Sequence, residues 1–302
     1  MSKTKAFIAA ARLRTLPLSV SGILTGTALA ISEGAFNWSI CILALLTTIG
    51  LQVLANFAND YGDGVKGTDN ETRIGPARAL QSGAISPREM KKAMTVTVLI
   101  TLIIALGLLY SAFGTEHILY ILLFLLLGIG AFIAAITYTI GRSAYGYHGW
   151  GDIFVLIFFG WVSVAGSYFL YVREMHWTVF LPATTIGLLS VAVLNLNNMR
   201  DRESDARVRK NTLVVFLGAV YARYYHYTLI ILAFATAILY SVITWRSGYQ
   251  LLYLLAFLPI LFHLFVVWKN KDPKKLDPEL KKLALSTFLF SVLFLVGELL
   301  KN

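Results

Sequence analysis

Nine long apolar segments constrain this chain more than any other feature of its sequence. Each is about 20 residues long, the length that a helix needs to cross the hydrocarbon core of a bilayer. The segments occupy residues 15–32, 38–58, 94–113, 117–140, 152–172, 178–199, 224–245, 249–268 and 283–300. The pattern predicts an all-α membrane protein with nine transmembrane helices. Because no long polar insertion separates the segments, we expect one membrane domain over residues 1–302.

The composition supports a membrane protein rather than a nucleic-acid-binding one. Hydrophobic residues make up 57% of the chain and charged residues only 14%, against about 25% charged residues in ordinary soluble domains. The formal net charge of +10 therefore indicates basic cytoplasmic loops and no nucleic-acid surface. The single cysteine, Cys41, lies in an apolar segment and excludes an internal disulfide or a cysteine metal cluster.

The positions of the basic residues predict the orientation in the membrane. With the N-terminus in the cytoplasm, 23 of the 26 Lys and Arg residues lie on the cytoplasmic side, and only Arg173, Arg246 and Lys301 lie outside. Such an asymmetry is typical of the positive-inside rule. We therefore expect a multi-pass protein of the bacterial inner membrane, with a cytoplasmic N-terminus and, after nine spans, an external C-terminus.

The first polar cluster ends the second apolar segment, as Asn59-Asp60-Tyr61-Gly62-Asp63. Asn59 and Asp63 are four residues apart, so they share one face if the helix continues. A glycine-rich basic stretch follows, with Lys66, Arg73 and Arg78. Carboxylates beside a flexible basic loop suit a divalent cation that carries a phosphorylated ligand, because Mg²⁺ prefers carboxylate and carbonyl oxygens together with substrate phosphates.

A second polar cluster ends the sixth apolar segment, over residues 195–205. Asp201 and Asp205 again have i, i+4 spacing, and basic residues again follow, as Arg207, Arg209 and Lys210. The topology places both clusters at the cytoplasmic face. Four carboxylates held together there would repel one another, and divalent cations would offset the repulsion.

Other polar residues reach the same face. Tyr138 and Arg142 end the fourth segment and would share a helical face, Asp152 opens the fifth, and Arg14 precedes the first. Each also has a simpler explanation. Arg14 and Tyr138 suit the membrane interface, Arg142 suits a basic cytoplasmic loop, and Asp152 can cap its helix. The acidic pairs can likewise be solvated helix ends.

Together these motifs resemble those of the UbiA-type membrane prenyltransferases. The stretch 59–63 resembles the NDxxD motif of that family and 201–205 its DxxxD motif. The stretch 138–142 is similar to its YxxxK motif, with Arg142 in place of Lys. Residues 59–69, 73–76, 151–161, 194–201 and 210–215 are most similar to the branch that prenylates 1,4-dihydroxy-2-naphthoate. Gly67 stands where the wider family often has a further Asp.

The resemblance implies a helical bundle around a cavity that opens to the cytoplasm and sideways to lipid. It implies Mg²⁺, with Mn²⁺ as a possible substitute, and no redox cofactor. The substrates would be a polyprenyl diphosphate and 1,4-dihydroxy-2-naphthoate, which would lose carbon dioxide to give demethylmenaquinol. No oligomeric state is predicted.

The resemblance also implies a role for each candidate residue. The metal would be bound by Asn59, Asp63, Asp201 and Asp205. The diphosphate would be bound by Lys66, Arg73, Arg78, Arg142 and Lys210. Further substrate contacts would come from Arg14, Asn195 and Asn198, and catalytic roles would fall to Asp60 and Tyr138. Asp152 lies outside both aspartate motifs, and we expect it to act in catalysis by orienting or deprotonating a hydroxyl of the aromatic acceptor.

Three other functions remain open from the residues. A different aromatic acceptor, such as 4-hydroxybenzoate, would use the same chemistry. A secondary transporter would line a substrate path with charged residues, but here the acids gather at one face. The third alternative is a non-catalytic lipid-binding protein.

Overall fold

Nine helices of this protein are long and apolar enough to span a membrane in the described part of the chain. The computed structural model describes residues 2–68 and 78–301. The helices are α1 Lys3–Ser32, α2 Trp38–Val65, α3 Pro87–Phe113, α4 Ile118–Thr137, α5 Gly151–Val172, α6 Trp177–Arg207, α7 Leu213–Ile243, α8 Gly248–Lys269 and α9 Pro273–Leu300. The prediction of an all-α protein with nine spans is confirmed within these residues.

Several helices are longer than the apolar segments that predicted them, because polar first turns are capped locally. Ser86 accepts a hydrogen bond from the Glu89 backbone, and the Glu89 carboxylate accepts one from the Ser86 backbone, so α3 begins seven residues before its apolar segment. Thr212 caps α7 by accepting from Val215 N at 3.3 Å. The transmembrane signal in the sequence marks the lipid-facing part of a helix and not its whole length.

α2 and α6 continue through the two acidic motifs. The helix Trp38–Val65 includes Asn59 and Asp63, and the helix Phe180–Arg207 within α6 includes Asp201 and Asp205. The expectation that each pair shares a helical face is therefore confirmed. The expected face shared by Tyr138 and Arg142 is wrong, because the helix of α4 ends at Thr137.

α1 and α5 pack closely through small residues. A Cβ on Gly22 would lie 2.2 Å from Ser163 Oγ, and one on Gly26 would lie 2.0 Å from Ser167 Oγ. Residues Leu156–Gly166 of α5, which face this contact, form a π-helix, an irregularity that is frequent at functional sites. Because only glycine fits on α1 at these positions, the two backbones approach closely beside the central cavity.

The chain closes into a bundle through contacts between its first and last helices. α1 packs along α9, α2 along α3, and α6 against both α5 and α7. α4 packs on α2 and α3 and is otherwise peripheral, with Ala134 the only buried residue of the helix. A cavity consequently lies between α4 and the wall formed by α1, α5 and α6.

Candidate active site

A cavity of about 660 Å³ extends through the bundle. At one end it is lined by Asn59, Asp63, Arg78, Arg200, Lys210 and Asp277. We call this the polar end. Towards the opposite ends of α3, α4 and α5 the lining becomes apolar, with Leu108, Leu109, Phe124 and Leu170. A charged group can thus occupy the polar end while a long hydrocarbon chain fills the rest.

The first motif contributes Asp63, which is only 2% exposed. Its Oδ2 accepts a hydrogen bond from Arg78 Nη1 at 2.8 Å, and its Oδ1 accepts one from the Tyr147 hydroxyl at 2.8 Å. Arg78 Nη1 also donates to the Asn59 carbonyl at 2.8 Å. Thr139 donates to the Asn59 side-chain oxygen at 3.3 Å. The motif is therefore held by charge-assisted bonds from outside its own helix.

Asp60 is also buried, but it points elsewhere. Its two carboxylate oxygens accept hydrogen bonds from the backbone N–H groups of Ala79 and Leu80, at 3.2 and 3.4 Å. It does not line the cavity. This geometry gives Asp60 a clear structural task in fixing the chain just after Arg78, while its predicted catalytic role stays a prediction.

The second motif contributes Asp201, which is paired with the residue before it. Arg200 donates from Nε to Asp201 Oδ1 at 2.9 Å and from Nη2 to Oδ2 at 2.6 Å. The same guanidinium donates to Asp277 of α9 at 2.5 Å and to Asn197 at 2.9 Å. Arg200 thus joins the second motif to the last helix, a role that the sequence did not suggest.

Asp205 is paired with Lys210, whose Nζ lies 3.5 Å from Asp205 Oδ1. Burial alone would lower the pKa of Lys210, but the carboxylates of Asp63 and Asp205 outweigh it and raise the pKa above its ordinary value. Lys210 therefore keeps its charge at neutral pH. Since acids from both motifs act on this one ammonium group, the structure brings α2 and α6 together at the polar end.

Tyr147 was missed by the sequence reasoning. Its hydroxyl donates to Asp63, so the 2.6 Å contact with Thr68 Oγ1 has Thr68 as the donor. The Nζ atoms of Lys66 and Lys210 lie 4.1 and 5.7 Å from the centre of its ring, within cation–π range. Burial and the nearby Asp63 raise the pKa of Tyr147, which keeps the phenol protonated. No spacing in the sequence signals this residue, because its partners lie on α2 and in the connections that follow α2 and α6.

Aromatic rings line the wall beside the polar end. Tyr138 and Tyr145 lie with their ring centres 5.3 Å apart, and Tyr145 stacks on Phe154 at 4.0 Å. All three line the cavity, as does Phe158. Burial and the nearby Asp152 and Asp63 raise the pKa of Tyr138, so its phenol stays neutral. The wall offers π faces to any ring or carbocation at this depth.

The remaining candidates lie in different places. Arg14 is exposed and lines the cavity, whereas Arg142 is exposed and does not. Asp152 is buried, accepts a hydrogen bond from the Tyr225 hydroxyl at 2.9 Å and does not line the cavity. Asn195 donates to the Ala222 carbonyl at 3.1 Å. Arg73 lies outside the described residues.

The motifs do not form a ready-made metal site. Within residues 2–68 and 78–301, no three His, Cys, Asp or Glu side chains are grouped as metal ligands. Asp63, Asp201 and Asp205 are instead each paired with a cation of the protein. The donor set nevertheless fits a hard cation. Asp205 Oδ2 and Asn198 Oδ1 are buried and lack a hydrogen-bond partner in this part of the chain. Such oxygens suit Mg²⁺, which commonly takes one or two carboxylates and completes its shell with water and substrate phosphate.

The sequence and fold define the class of protein. Residues 19–292 match the UbiA prenyltransferase family, so the chain belongs to that family and the predicted resemblance is confirmed. The chain is 43% identical over 302 residues to the 1,4-dihydroxy-2-naphthoate octaprenyltransferase of Escherichia coli (strain K12), covering 100% of this chain and 97% of that protein. The identity is also 43% with the protein of the same name from Haemophilus influenzae, at 99% and 97% coverage.

Solved structures share the fold at lower sequence identity. A UbiA homologue from Aeropyrum pernix K1 in its apo form aligns with a TM-score of 0.70 and 17% identity, covering 94% of this chain and 98% of the other. A homologue from Archaeoglobus fulgidus bound to DMAPP and Mg²⁺ aligns with a TM-score of 0.60 and 17% identity, covering 93% and 98%. These similarities establish the architecture of the bundle.

Proposed function

We propose that this protein transfers a polyprenyl group from a polyprenyl diphosphate to 1,4-dihydroxy-2-naphthoate. The acceptor loses its carboxyl group as carbon dioxide, diphosphate is released, and demethylmenaquinol is the product. The observation that carries the proposal is the cavity itself, in which cations and acids of both motifs meet at one end of a long apolar space. The two relatives that match almost end to end bear the name of this activity.

The donor diphosphate would lie at the polar end. Lys210 and Arg78 line the cavity there, and Lys66 lies against the same tyrosine ring as Lys210. These three cations are placed to bind phosphate oxygens and to stabilise the negative charge that develops as the allylic C–O bond breaks. Arg73 and Arg142 stay predicted donor ligands. Arg142 would have to move inwards to reach the site.

A divalent cation, Mg²⁺ or in its place Mn²⁺, would be bound by Asn59, Asp63, Asp201 and Asp205. It would neutralise the diphosphate and so make it a better leaving group. The acids must exchange their present partners for this role. Until then Arg78, Arg200 and Lys210 orient these acids through ion pairs. The Archaeoglobus homologue was solved with DMAPP and Mg²⁺ bound, which supports a site that takes a prenyl diphosphate together with a divalent cation.

The chain supplies the conditions for the carbon–carbon bond. Apolar walls exclude water, which would otherwise capture the allylic cation. The rings of Tyr138, Tyr145 and Phe154 face the cavity next to the polar end and can stabilise that cation through their π faces. The electron-rich naphthoate ring attacks the allylic carbon through its carboxylate-bearing carbon, as diphosphate leaves with the electron pair of the allylic C–O bond. Carbon dioxide then leaves from the attacked carbon, and the electron pair of the broken C–C bond restores the aromatic ring.

The acceptor would be bound by Arg14, which lines the cavity. Asn195 and Asn198 do not line it and stay predicted substrate contacts. Asp152 does not reach the cavity directly. It lies near Tyr138, on whose pKa its charge acts, and it is hydrogen-bonded to Tyr225. We assign Asp152 the role of orienting a hydroxyl group of the acceptor through Tyr138 and Tyr225.

An acceptor panel tests the proposal. The purified protein is incubated with radiolabelled polyprenyl diphosphate, Mg²⁺ and either 1,4-dihydroxy-2-naphthoate or 4-hydroxybenzoate. We expect label to enter a quinol product and carbon dioxide to be released only with the naphthoate. Transfer to 4-hydroxybenzoate alone would identify the other aromatic substrate. Absence of transfer to any acceptor, together with uptake of a solute into proteoliposomes, would favour a transporter.

The proposed orientation can be tested separately. Single cysteines are introduced near each end of a Cys41→Ala variant and treated in intact cells with a membrane-impermeant maleimide. We expect labelling near the C-terminus and none near the N-terminus. The reverse pattern would overturn the assignment of the polar end to the cytoplasm.

A further inference from the structure

One stripe of α9 forms part of the cavity wall. Asp277, Leu280, Lys281 and Ala284 all line the cavity, and their spacing places them on one face of the helix. The adjacent Lys282 points away from this face and forms an ion pair with Glu279 at 2.5 Å beside a separate, smaller cavity. Lys281 is thus the lysine of this helix that lines the active-site cavity, and it is exposed.

The cations around the cavity differ in whether they already have an acidic partner. Arg78 is paired with Asp63, Arg200 with Asp201 and Asp277, and Lys210 with Asp205. Lys281 and Arg14 line the same cavity, but neither forms an ion pair with a described carboxylate. Asp277 lies one turn before Lys281 on the same face, yet its carboxylate is bound by Arg200.

The two available cations lie on neighbouring helices. Arg14 stands at the start of the long helical part of α1, Leu16–Ser32, and Lys281 in the first turns of the helix Asp277–Leu300 of α9. These two helices pack against each other. The acids of the two motifs lie on α2 and α6. The cations paired with them lie on α6 and in the connections that follow α2 and α6. The polar end therefore has a second positive region on its α1–α9 side.

A reaction between two anionic substrates requires two separate positive regions in the site. In the proposed reaction the donor carries a diphosphate and the acceptor a carboxylate, and the two repel one another in a cavity of low dielectric constant. If both relied on Lys66, Arg78 and Lys210, the carboxylate would compete with the diphosphate. A separate cation allows both substrates to bind at once and directs the ring, rather than the carboxylate, towards the donor.

We propose that Lys281, together with Arg14, binds the carboxylate of the aromatic acceptor. The inference rests on the proposed function and adds to it a subsite for an aromatic carboxylate on α9. The acceptor is held by its carboxylate at the α1–α9 wall, with its ring against the aromatic wall of Tyr138, Tyr145 and Phe154. The donor diphosphate occupies the opposite side of the polar end.

The test compares Lys281→Gln with Lys274→Gln, a matched change of an exposed lysine in the first turn of α9 that does not line the cavity. Steady-state kinetics give KM for each substrate. We expect Lys281→Gln to raise KM for 1,4-dihydroxy-2-naphthoate about ten-fold or more, the loss typical of one bond to a charged group. The donor KM should stay near that of the wild type, and Lys274→Gln should match the wild type in both. An unchanged acceptor KM, or an equal rise for both substrates, overturns the subsite.

A binding measurement separates this inference from the proposed function. Tryptophan fluorescence is titrated with 1,4-dihydroxy-2-naphthoate and with 1,4-dihydroxynaphthalene, which lacks the carboxylate. The wild type should prefer the naphthoate, Lys281→Gln should lose that preference, and Lys281→Arg should retain it. If the wild type fails to bind the naphthoate, the proposed function fails. If Lys281→Gln keeps the preference, only the subsite fails. Thermal unfolding of each variant verifies that it is folded.

Discussion

The hydroxyl of Tyr147 donates a 2.8 Å hydrogen bond to Oδ1 of Asp63, across 84 positions of the chain. The same ring lies beneath the ammonium groups of Lys66 and Lys210. One side chain from the connection between α4 and α5 therefore positions an acid of the first motif and two predicted diphosphate ligands. It does so without lining the cavity itself.

Changing Tyr147 to Phe removes the hydrogen bond to Asp63 and keeps the ring beneath both lysines. We expect kcat/KM for the prenyl donor to fall about ten-fold, since bonds to charged groups contribute about 1.5–3 kcal/mol. Tyr147→Leu should lower it further, because the cation–π contacts are lost too. Tyr61→Phe is the control, since Lys91 lies over that ring in the same way but outside the cavity. A wild-type donor KM in both Tyr147 variants would show that the lysines are positioned by other contacts.

Removing the motif acids should abolish activity while sparing the fold. We expect Asp63→Ala and Asp201→Ala each to lower turnover by about 100-fold or more, as is common when a metal ligand or its close support is lost. Both should still insert into the membrane. Glu203→Gln, an exposed acid within the second motif, should remain active. Turnover is measured in detergent, and blots of the membrane fraction measure insertion. Turnover near the wild-type rate by either alanine variant would contradict the metal assignment.

Activity should depend strictly on a divalent cation. The candidate ligands are carboxylate and amide oxygens, and the only cysteine, Cys41, is a buried residue outside the site, so a hard cation is expected. Treatment with EDTA should stop turnover, and added Mg²⁺ or Mn²⁺ should restore it without any redox cofactor. The same cations should raise Tm in the presence of a non-hydrolysable prenyl diphosphate analogue. Full turnover in EDTA would exclude this mechanism.

The cations at the polar end should differ in their effect on the donor. Lys210 is buried and lines the cavity, whereas Arg142 is exposed and does not. We expect Lys210→Gln to raise the donor KM about ten-fold or more and Arg142→Gln to raise it less, with the acceptor KM little changed in both. A larger effect of Arg142→Gln would indicate that the connection after α4 closes over the bound donor. Measurement of both KM values decides between these outcomes.

Asp152 offers a test between a structural role and a chemical one. The N-cap of α5 is Trp150 and Asp152 lies in the first turn without a side-chain cap bond, so the expected capping role is not seen. If Asp152 serves only the stability of the helix start, its replacement by Asn should be nearly silent and its replacement by Ala should cost about 1 kcal/mol of stability. If its negative charge is needed, Asp152→Asn should lower turnover with an unchanged Tm. Tyr225→Phe removes the hydrogen bond that Asp152 accepts and should lower turnover in the same direction. Near-normal turnover of Asp152→Asn would leave Asp152 with a structural role only.

Much of this architecture follows from the sequence by itself. Hydropathy is a sum over about 20 neighbouring residues, so the spans can be predicted from local sequence. The nine helices found among the described residues correspond to the nine apolar segments. The i, i+4 acids share faces because α2 and α6 continue through them. The paired motifs also identify the family, which the match over residues 19–292 confirms.

Only the tertiary structure decided how the charges are paired. Asp60 resembled its neighbour Asp63, yet one accepts from backbone N–H groups and the other faces the cavity. Arg142 matched a motif but lies beyond the end of the α4 helix, where it is exposed. Arg200 reaches Asp277, and Tyr147 reaches Asp63, across long separations in the chain. Such contacts depend on which helix ends meet in space, and the local spacing of residues carries no information about that.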